Sequence, residues 1–185
     1  MNFAYTPKVE TLRTRVNTFM TEHIVPRIWL WHEETEQGQF PTSFMEPLKA
    51  RARDQGLWNL FLPGLRKEEP GTRLSNLEYA PLAEIMGRVA WASEVFNCNA
   101  PDTGNMELLH MFATPEQYEQ WLRPLLQGEI RSAFAMTEPD VASSDATNIQ
   151  TRIERVADEY VINGRKWFIT NAARSEEHTS ELQSQ

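Results

Sequence analysis

The chain has 185 residues, of which 41% are hydrophobic and 24% charged, and its net charge is −8. This composition is typical of a globular protein, and an acidic balance without a basic stripe argues against a nucleic-acid partner. No apolar run approaches the roughly 20 residues that a membrane-spanning helix needs. The single cysteine, Cys98, excludes an internal disulfide and favours a reducing compartment, with the thiol buried and inert.

The amino terminus carries no pattern of a targeting segment. Residues 1–10 lack the basic start and the apolar core of a secretory signal, and Glu10 comes early for an acidic-poor mitochondrial presequence. We therefore expect a cytoplasmic protein. A mitochondrial or peroxisomal location stays open if the source is eukaryotic.

The first helices are predicted from the spacing of apolar side chains. Between residues 8 and 32 these recur at intervals of three and four, which indicates one amphipathic helix. Pro26 removes a backbone donor and should kink its last turns. A second helix is expected from Ser43 to Gln55, with Gly56 at its carboxyl end.

The next helices have recognisable start signals. Ser75 and Glu78 have the spacing of a capping box, so a helix should run to about Arg88, although Pro81 conflicts with its interior. A second helix start is indicated by the run Thr114-Pro115-Glu116-Gln117, and Gly128 should end the helix that begins there. Two further helices are predicted over 91–97 and 100–112.

After Gly128 the residues favour strands and hairpins. Pro139 cannot donate to a sheet ladder, so a first strand should stop near Glu138. Asn163-Gly164 is the favoured two-residue hairpin turn, with a turn also expected at Asp158-Glu159. The predicted strands are 133–136, 148–156, 160–162 and 166–170.

Helices followed by strands predict an α+β fold or two domains, with an all-helical region over 1–129 and a region of strands over 130–173. The stretch 174–185, RSEEHTSELQSQ, loses the apolar pattern and matches one reading frame of a common sequencing adapter. We interpret it as a non-native tail, with a natural disordered tail as the alternative.

Two stretches carry the functional signal. Phe134–Asp145 reads FAMTEPDVASSD, a strand that ends in a threonine followed by a hydroxyl-rich turn. Such a turn can hold the polar edge of a cofactor, but taken alone it favours an ordinary strand-to-loop connection. The second stretch, Tyr160–Asn171, reads YVINGRKWFITN.

Together these stretches resemble the acyl-CoA dehydrogenase family of flavoproteins. Members show T-E-P, a short loop and S-D, and later a Y-V-x-N-G-x-K-x-x-I-T-N hairpin. Here the S-D aspartate, Asp145, is the sixth residue after T-E-P rather than the fifth, as in the long-chain subgroup fused behind a kinase-like domain. Phe96–Leu109, FNCNAPDTGNMELL, also resembles that subgroup. The extra residue leaves open whether Ser143 or Ser144 contacts the pyrophosphate.

The resemblance implies FAD-dependent oxidation of a fatty acyl-CoA to the trans-2-enoyl-CoA. It also implies roles in this chain. On the first motif, Phe134, Met136 and Thr137 would border the isoalloxazine, and Thr137 would bond its pyrimidine edge. On the later motif, Phe168 would lie against the ring and the Thr170 hydroxyl would lie near N5. Ser143 or Ser144 would meet the pyrophosphate, and Ser144 would also face the CoA substrate.

No catalytic base and no metal ligand are assigned to this chain. The general-base glutamate of most members lies in a carboxyl-terminal helical domain. The resemblance covers only an amino-terminal fragment, with residues 1–129 as the amino-terminal helical domain and 130–173 as the incomplete start of the middle β domain. Expected partners are acyl-CoA, an electron-transfer flavoprotein or similar acceptor, and further copies of the full-length protein. The alternatives are an acyl-CoA oxidase or other flavoenzyme on the same fold, and a cofactor-free helical interaction module.

Overall fold

A computed structural model describes residues 4–142 and 144–172. The chain divides into two compact units between Thr103 and Gly104. The boundary proposed from the sequence falls later, after residue 129. The proposed tail, 174–185, and Ser143 lie outside the described residues.

The first unit begins with a helical segment that changes type at its proline. Helix α1, Pro7–Phe19, starts where the Thr6 hydroxyl accepts a hydrogen bond from Val9 N at 3.3 Å. A π-helical turn, Met20–Ile24, and a 3₁₀ turn, Val25–Arg27, follow before helix α2, Ile28–Glu36. Pro26 sits in the 3₁₀ turn, so the predicted single helix is interrupted there and continues to Glu36.

Three more helices complete this unit. Helix α3 spans Met45–Asp54, and Gly56 follows it with φ +62°, the left-handed conformation expected after a helix. Helix α4, Asn76–Met86, has the predicted capping box at Ser75 and accommodates Pro81 in its interior. The segment predicted over 91–97 contains only the short helix α5, Ala92–Val95.

The core of this unit forms because the apolar stripes of these helices face one another. Helix α1 packs against α4, and α3 packs against α5. Cys98 is buried there, and burial raises its pKa to about 12, so the thiol is inert as predicted. The largest side chains that are almost wholly buried in this unit are Trp58, Phe19, Phe96, Ile24, Leu57, Leu60, Leu74, Leu82, Ile85 and Met86.

The second unit opens with helices and ends in a hairpin. Helix α6, Asp102–Phe112, crosses the division and is followed by α7, Pro115–Gln117, a π-helical turn, Tyr118–Leu122, and α8, Arg123–Gln127. The predicted capping box is present between Thr114 and Gln117. Gly128 ends α8 in the left-handed conformation, φ +69°, as predicted.

Strands β1, Arg152–Val156, and β2, Glu159–Asn163, form an antiparallel hairpin with Ile153 opposite Ile162. Its turn is Ala157-Asp158, one residue before the predicted turn at Asp158-Glu159. The second predicted turn, at Asn163-Gly164, is wrong, because Asn163 ends β2 and Gly164 begins an irregular segment. Gly164 instead lies opposite Thr151, where a side chain on the glycine would overlap the threonine. The glycine therefore serves a close backbone approach rather than a turn.

The α+β class is confirmed, with a two-stranded sheet in the described part of the chain. The predicted strands 133–136 and 166–170 are wrong, because both segments are irregular. Met136 N donates to Phe134 O at 3.1 Å, a tight local turn that takes an amide out of any sheet ladder. Phe168 has φ +50°, which breaks the extended backbone of the second segment. Across 4–142 and 144–172, no helix is long and apolar enough to cross a membrane.

Candidate functional site

The two motif segments lie beside each other in the second unit. Trp167 N donates to Thr137 O at 3.1 Å, and at the far end Asn171 Nδ2 donates to Ser132 O at 3.2 Å. Residues 132–138 and 166–171 therefore run antiparallel, although their hydrogen bonds are too few for a regular ladder. The resemblance placed both segments at one cofactor, and the fold brings them together.

The centre of this junction is the Glu138 carboxylate. Its Oε2 accepts a hydrogen bond from Gln150 N at 2.8 Å. Its Oε1 accepts from Thr151 N at 2.9 Å, from Thr151 Oγ1 at 2.6 Å and from Lys166 Nζ at 2.9 Å. The Lys166 ammonium also donates to Met136 O at 2.9 Å. One carboxylate thus joins the T-E-P segment, the start of the hairpin and the later motif.

These contacts fix the charge state of Glu138. Its side chain is 5% exposed to solvent. The Thr151 hydroxyl, the Gln150 amide and the Lys166 ammonium, in that order of effect, lower its pKa from the ordinary 4.5 to about 2. A carboxylate held this strongly in its ionised form is a poor proton acceptor, so the geometry gives Glu138 a structural role.

We expect acid to destabilise the protein through this group. Because the pKa of Glu138 is lower in the folded chain, the stability it contributes is present above about pH 4.5 and is lost as pH falls toward 2. Urea unfolding at a series of pH values should show this loss in the wild type. The loss should be smaller in Glu138→Gln, which has no proton to bind there. A Glu138→Gln profile parallel to the wild type between pH 4.5 and 2 would contradict the assignment.

The first group of predicted site residues lies on the T-E-P segment. The Phe134 side chain is 61% exposed, whereas Met136 and Thr137 are half-buried. Met136 and Thr137 are both held through their carbonyls, by Lys166 and Trp167. Within the described part of the chain, no hydrogen bond uses the Thr137 hydroxyl, which leaves it available to a ligand.

The second group lies directly beyond Lys166. Phe168 is 82% exposed and its ring centroid is 4.8 Å from that of Trp167. Thr170 is exposed, and its hydroxyl takes part in no hydrogen bond among the described residues. Two aromatic rings and a hydroxyl therefore stand open next to the segment that carries Thr137.

The serine loop is less informative. Ser143 lies outside the described residues, and Ser144 is exposed. Asp145 closes the loop, since its amide donates to Ala142 O at 3.0 Å and its carboxylate accepts from the Thr147 hydroxyl at 2.6 Å and the Thr147 amide at 3.0 Å. The hydroxyl and then the amide of Thr147 lower the pKa of Asp145. Among the described residues, no hydrogen bond joins Ser144 to Thr137 or Thr170.

The partners of Glu138 were missed by sequence reasoning. Gln150 and Thr151 lie at the entry to β1 and follow Glu138 by 12 and 13 residues, with no local pattern that marks them. Lys166 is one of two cations in the N-G-R-K run, and nothing in the sequence marks it rather than Arg165 as the partner of Glu138.

Comparison with known protein families identifies the family to which the chain belongs. A family model for the "Acyl-CoA dehydrogenase, N-terminal domain" matches residues 6–129, and one for the "Acyl-CoA dehydrogenase, middle domain" matches residues 133–180. The amino-terminal match alone covers more than half of the chain. The chain belongs to the acyl-CoA dehydrogenase family.

Individual relatives agree. The chain is 52% identical over 179 residues to the Probable acyl-CoA dehydrogenase FadE2 of Mycobacterium tuberculosis, covering 94% of this chain and 42% of that protein. A solved structure from Mycobacterium abscessus, provisionally described as an acyl-CoA dehydrogenase, is 49% identical with a TM-score of 0.84, covering 92% of this chain and 44% of that one. An acyl-CoA dehydrogenase of Bacillus anthracis, solved in complex with FAD, is 26% identical with a TM-score of 0.64, covering 92% and 28%. The chain thus spans less than half the length of these relatives.

Proposed function

We propose that this chain is the amino-terminal part of an FAD-dependent acyl-CoA dehydrogenase, which oxidises a fatty acyl-CoA to the trans-2-enoyl-CoA. The observation that carries the proposal is the junction of the two motif segments, where Trp167 N reaches Thr137 O at 3.1 Å. Family membership and the FAD complex of the Bacillus anthracis relative support it. An interaction module without a cofactor would give no reason for this junction.

The residues at the junction fit the flavin chemically. A flavin presents a flat apolar ring system with a polar pyrimidine edge, and it needs aromatic or aliphatic surface beside hydrogen-bond donors. Phe134, Met136 and Phe168 supply apolar surface, while the Thr137 and Thr170 hydroxyls are uncommitted to other described residues. Ser144, or Ser143 beside it, would hold the pyrophosphate, and Ser144 would also face the CoA.

These groups suggest separate roles for the cofactor and for the protein side chains. When bound, FAD would supply the redox chemistry, which is the acceptance of a hydride from the β carbon of the acyl chain. Thr137 and Thr170 would orient the ring, and Phe168 would exclude water from one side of it. The proton acceptor for the α carbon is assigned to a part of the protein beyond these residues. The acidic groups near the junction are both committed to hydrogen bonds, Glu138 to Thr151 and Lys166 and Asp145 to Thr147 in its own turn.

The remaining assignments are proposals on the whole protein. We propose an electron-transfer flavoprotein or a similar acceptor for the reduced enzyme, and a homo-oligomer as its working form. The proposed location is the cytoplasm, or a mitochondrion or peroxisome in a eukaryote. An acyl-CoA oxidase differs in passing its electrons to oxygen, so formation of hydrogen peroxide with acyl-CoA would select that alternative.

The flavin site is tested by removing one hydroxyl from the complete protein that contains residues 1–172. Thr137→Val keeps the shape and should raise the dissociation constant for FAD by roughly three- to tenfold, the worth of one hydrogen bond. The matched control is Thr11→Val, which removes an exposed hydroxyl from α1. Flavin fluorescence titration of the apoprotein measures both. Equal affinities in Thr137→Val and the wild type would remove Thr137 from the site, and a wild type without any flavin affinity would end the proposal.

A further inference from the structure

We propose that Glu138 and Lys166 form a latch that positions Thr137 for the flavin, so that Glu138 is a positioning residue rather than the catalytic base. This inference rests on the proposed function, because it assigns the support of that same site. It adds a role for the three residues Glu138, Lys166 and Thr151, whose side chains are turned toward one another.

The latch holds Thr137 from both sides along the backbone. On the preceding residue, Met136 O accepts from Lys166 Nζ at 2.9 Å. On the following residue, the Glu138 carboxylate accepts from the same ammonium at 2.9 Å. Thr137 itself accepts from Trp167 N at 3.1 Å. Three successive residues are therefore tied to two successive residues of the later motif, which limits how far the Thr137 hydroxyl can move.

The second anchor of the latch is the entry to β1. Gln150 N and Thr151 N donate to the two oxygens of Glu138 at 2.8 and 2.9 Å, and the Thr151 hydroxyl adds a third bond at 2.6 Å. Gly164 lies against Thr151 so closely that a Cβ would come within 2.8 Å of the Thr151 Cα. The close approach of Gly164 places Thr151 beside the carboxylate, and the bonds to the carboxylate connect the entry of the hairpin to the T-E-P segment.

The chemistry of the carboxylate makes the latch specific for glutamate. Both oxygens act only as acceptors, and among the described residues Oε2 faces Gln150 N, while Oε1 faces Thr151 N, Thr151 Oγ1 and Lys166 Nζ. A glutamine of the same shape would turn its NH₂ group toward at least one of these donors, which leaves a buried donor unpaired. The ion pair is shielded, since the Lys166 side chain is 17% exposed and that of Glu138 is 5% exposed. Short charge-assisted hydrogen bonds in such a site hold geometry well.

The test compares three variants of the complete protein that contains residues 1–172. Glu138→Gln removes the acceptor, and Lys166→Met removes the ammonium while keeping the length of the side chain. Glu154→Gln is the control, because it makes the same change at an exposed position of β1. Each variant is measured for amide hydrogen exchange over 147–152 and 165–170 in the flavin-free state. The dissociation constant for FAD and the vibronic shape of the bound flavin's visible band are measured next.

We expect Glu138→Gln and Lys166→Met each to speed exchange in both segments and to weaken FAD binding by roughly tenfold, with a changed band shape. Glu154→Gln should match the wild type. If exchange rises but affinity and band shape stay unchanged, the contacts are structural only and the positioning role is overturned. Unchanged exchange overturns the latch itself. If Glu138→Gln does not fold, Lys166→Met decides alone. A wild type that binds no flavin defeats the proposed function instead, which keeps the two failures distinguishable.

Discussion

The 185-residue chain on its own should not reduce an electron-acceptor dye with any acyl-CoA, even with FAD added. The resemblance places the proton acceptor for the α carbon outside this chain. General-base assistance is worth about 10²–10⁴-fold, and without an acceptor the weakly acidic C–H bond stays intact. The measurement is dye reduction by the purified chain over a range of acyl chain lengths, with the complete protein as the positive control.

The carboxylates that the chain does have near the junction cannot replace that base. Glu138 has its pKa lowered to about 2 and both its oxygens occupied, and Asp145 bonds Thr147 within its own turn. A base working near neutral pH needs a pKa much closer to that pH. Turnover by the chain that disappears in Glu138→Gln would contradict both the placement of the base and the structural role of Glu138.

Tight FAD binding by the isolated chain is not expected either. The platform next to the site is a hairpin whose ten strand residues are all exposed to solvent. A two-stranded hairpin is only marginally stable in water, so it gives the Thr137 and Thr170 hydroxyls a weakly fixed support. Flavin fluorescence titration should therefore show much weaker binding to the chain than to the complete protein. Equal affinities would mean that the described residues form a complete flavin site.

The helices could be predicted because their signals are local. The capping pairs Ser75 with Glu78 and Thr114 with Gln117 lie three residues apart, and each forms as the sequence indicates. Gly128 takes the left-handed conformation that ends a helix. A kink at Pro26 was also foreseen, but the continuation to Glu36 was not. Near that end the Glu34 carboxylate accepts from Ser43 N at 2.7 Å, a contact that the apolar repeat does not mark.

The strands were harder because their partners are distant in the chain. Residues 133–136 and 166–170 have the apolar character of strands, but a ladder needs a regular series of hydrogen bonds. In the described residues the backbone–backbone bond at this junction, from Trp167 N to Thr137 O, falls just beyond the first of these segments. The Asn163-Gly164 signal was misread for a similar reason. The close approach of Gly164 to Thr151 depends on the strand register, which the dipeptide does not encode.

The candidate site was likewise predicted only where its residues belong to a sequence motif. The motif positions of Phe134, Met136, Thr137, Phe168 and Thr170 followed from the resemblance, and their roles remain proposals. The partners of Glu138 could not be read from the sequence, because they lie 12, 13 and 28 residues away and meet only through the fold. From the sequence, Glu138 was predicted only as the end of a strand, whereas the structure surrounds its carboxylate with donors.

The stability of the first unit should depend strongly on the α1–α4 contact, and Leu82→Ala tests it. Leu82 lies on α4 with 0% of its surface exposed, so truncation removes buried apolar contacts and leaves a cavity. We expect a loss of about 2–5 kcal/mol in the free energy of unfolding. Leu77→Ala is the matched control, because Leu77 lies on the same helix and is 86% exposed. That change should alter the free energy of unfolding by no more than about 0.5 kcal/mol, because the side chain is exposed. Both variants replace leucine by alanine in the same helix, so the difference between them reports burial rather than helix propensity. Urea unfolding followed by tryptophan fluorescence measures both, and equal midpoints would contradict the packing described for α4.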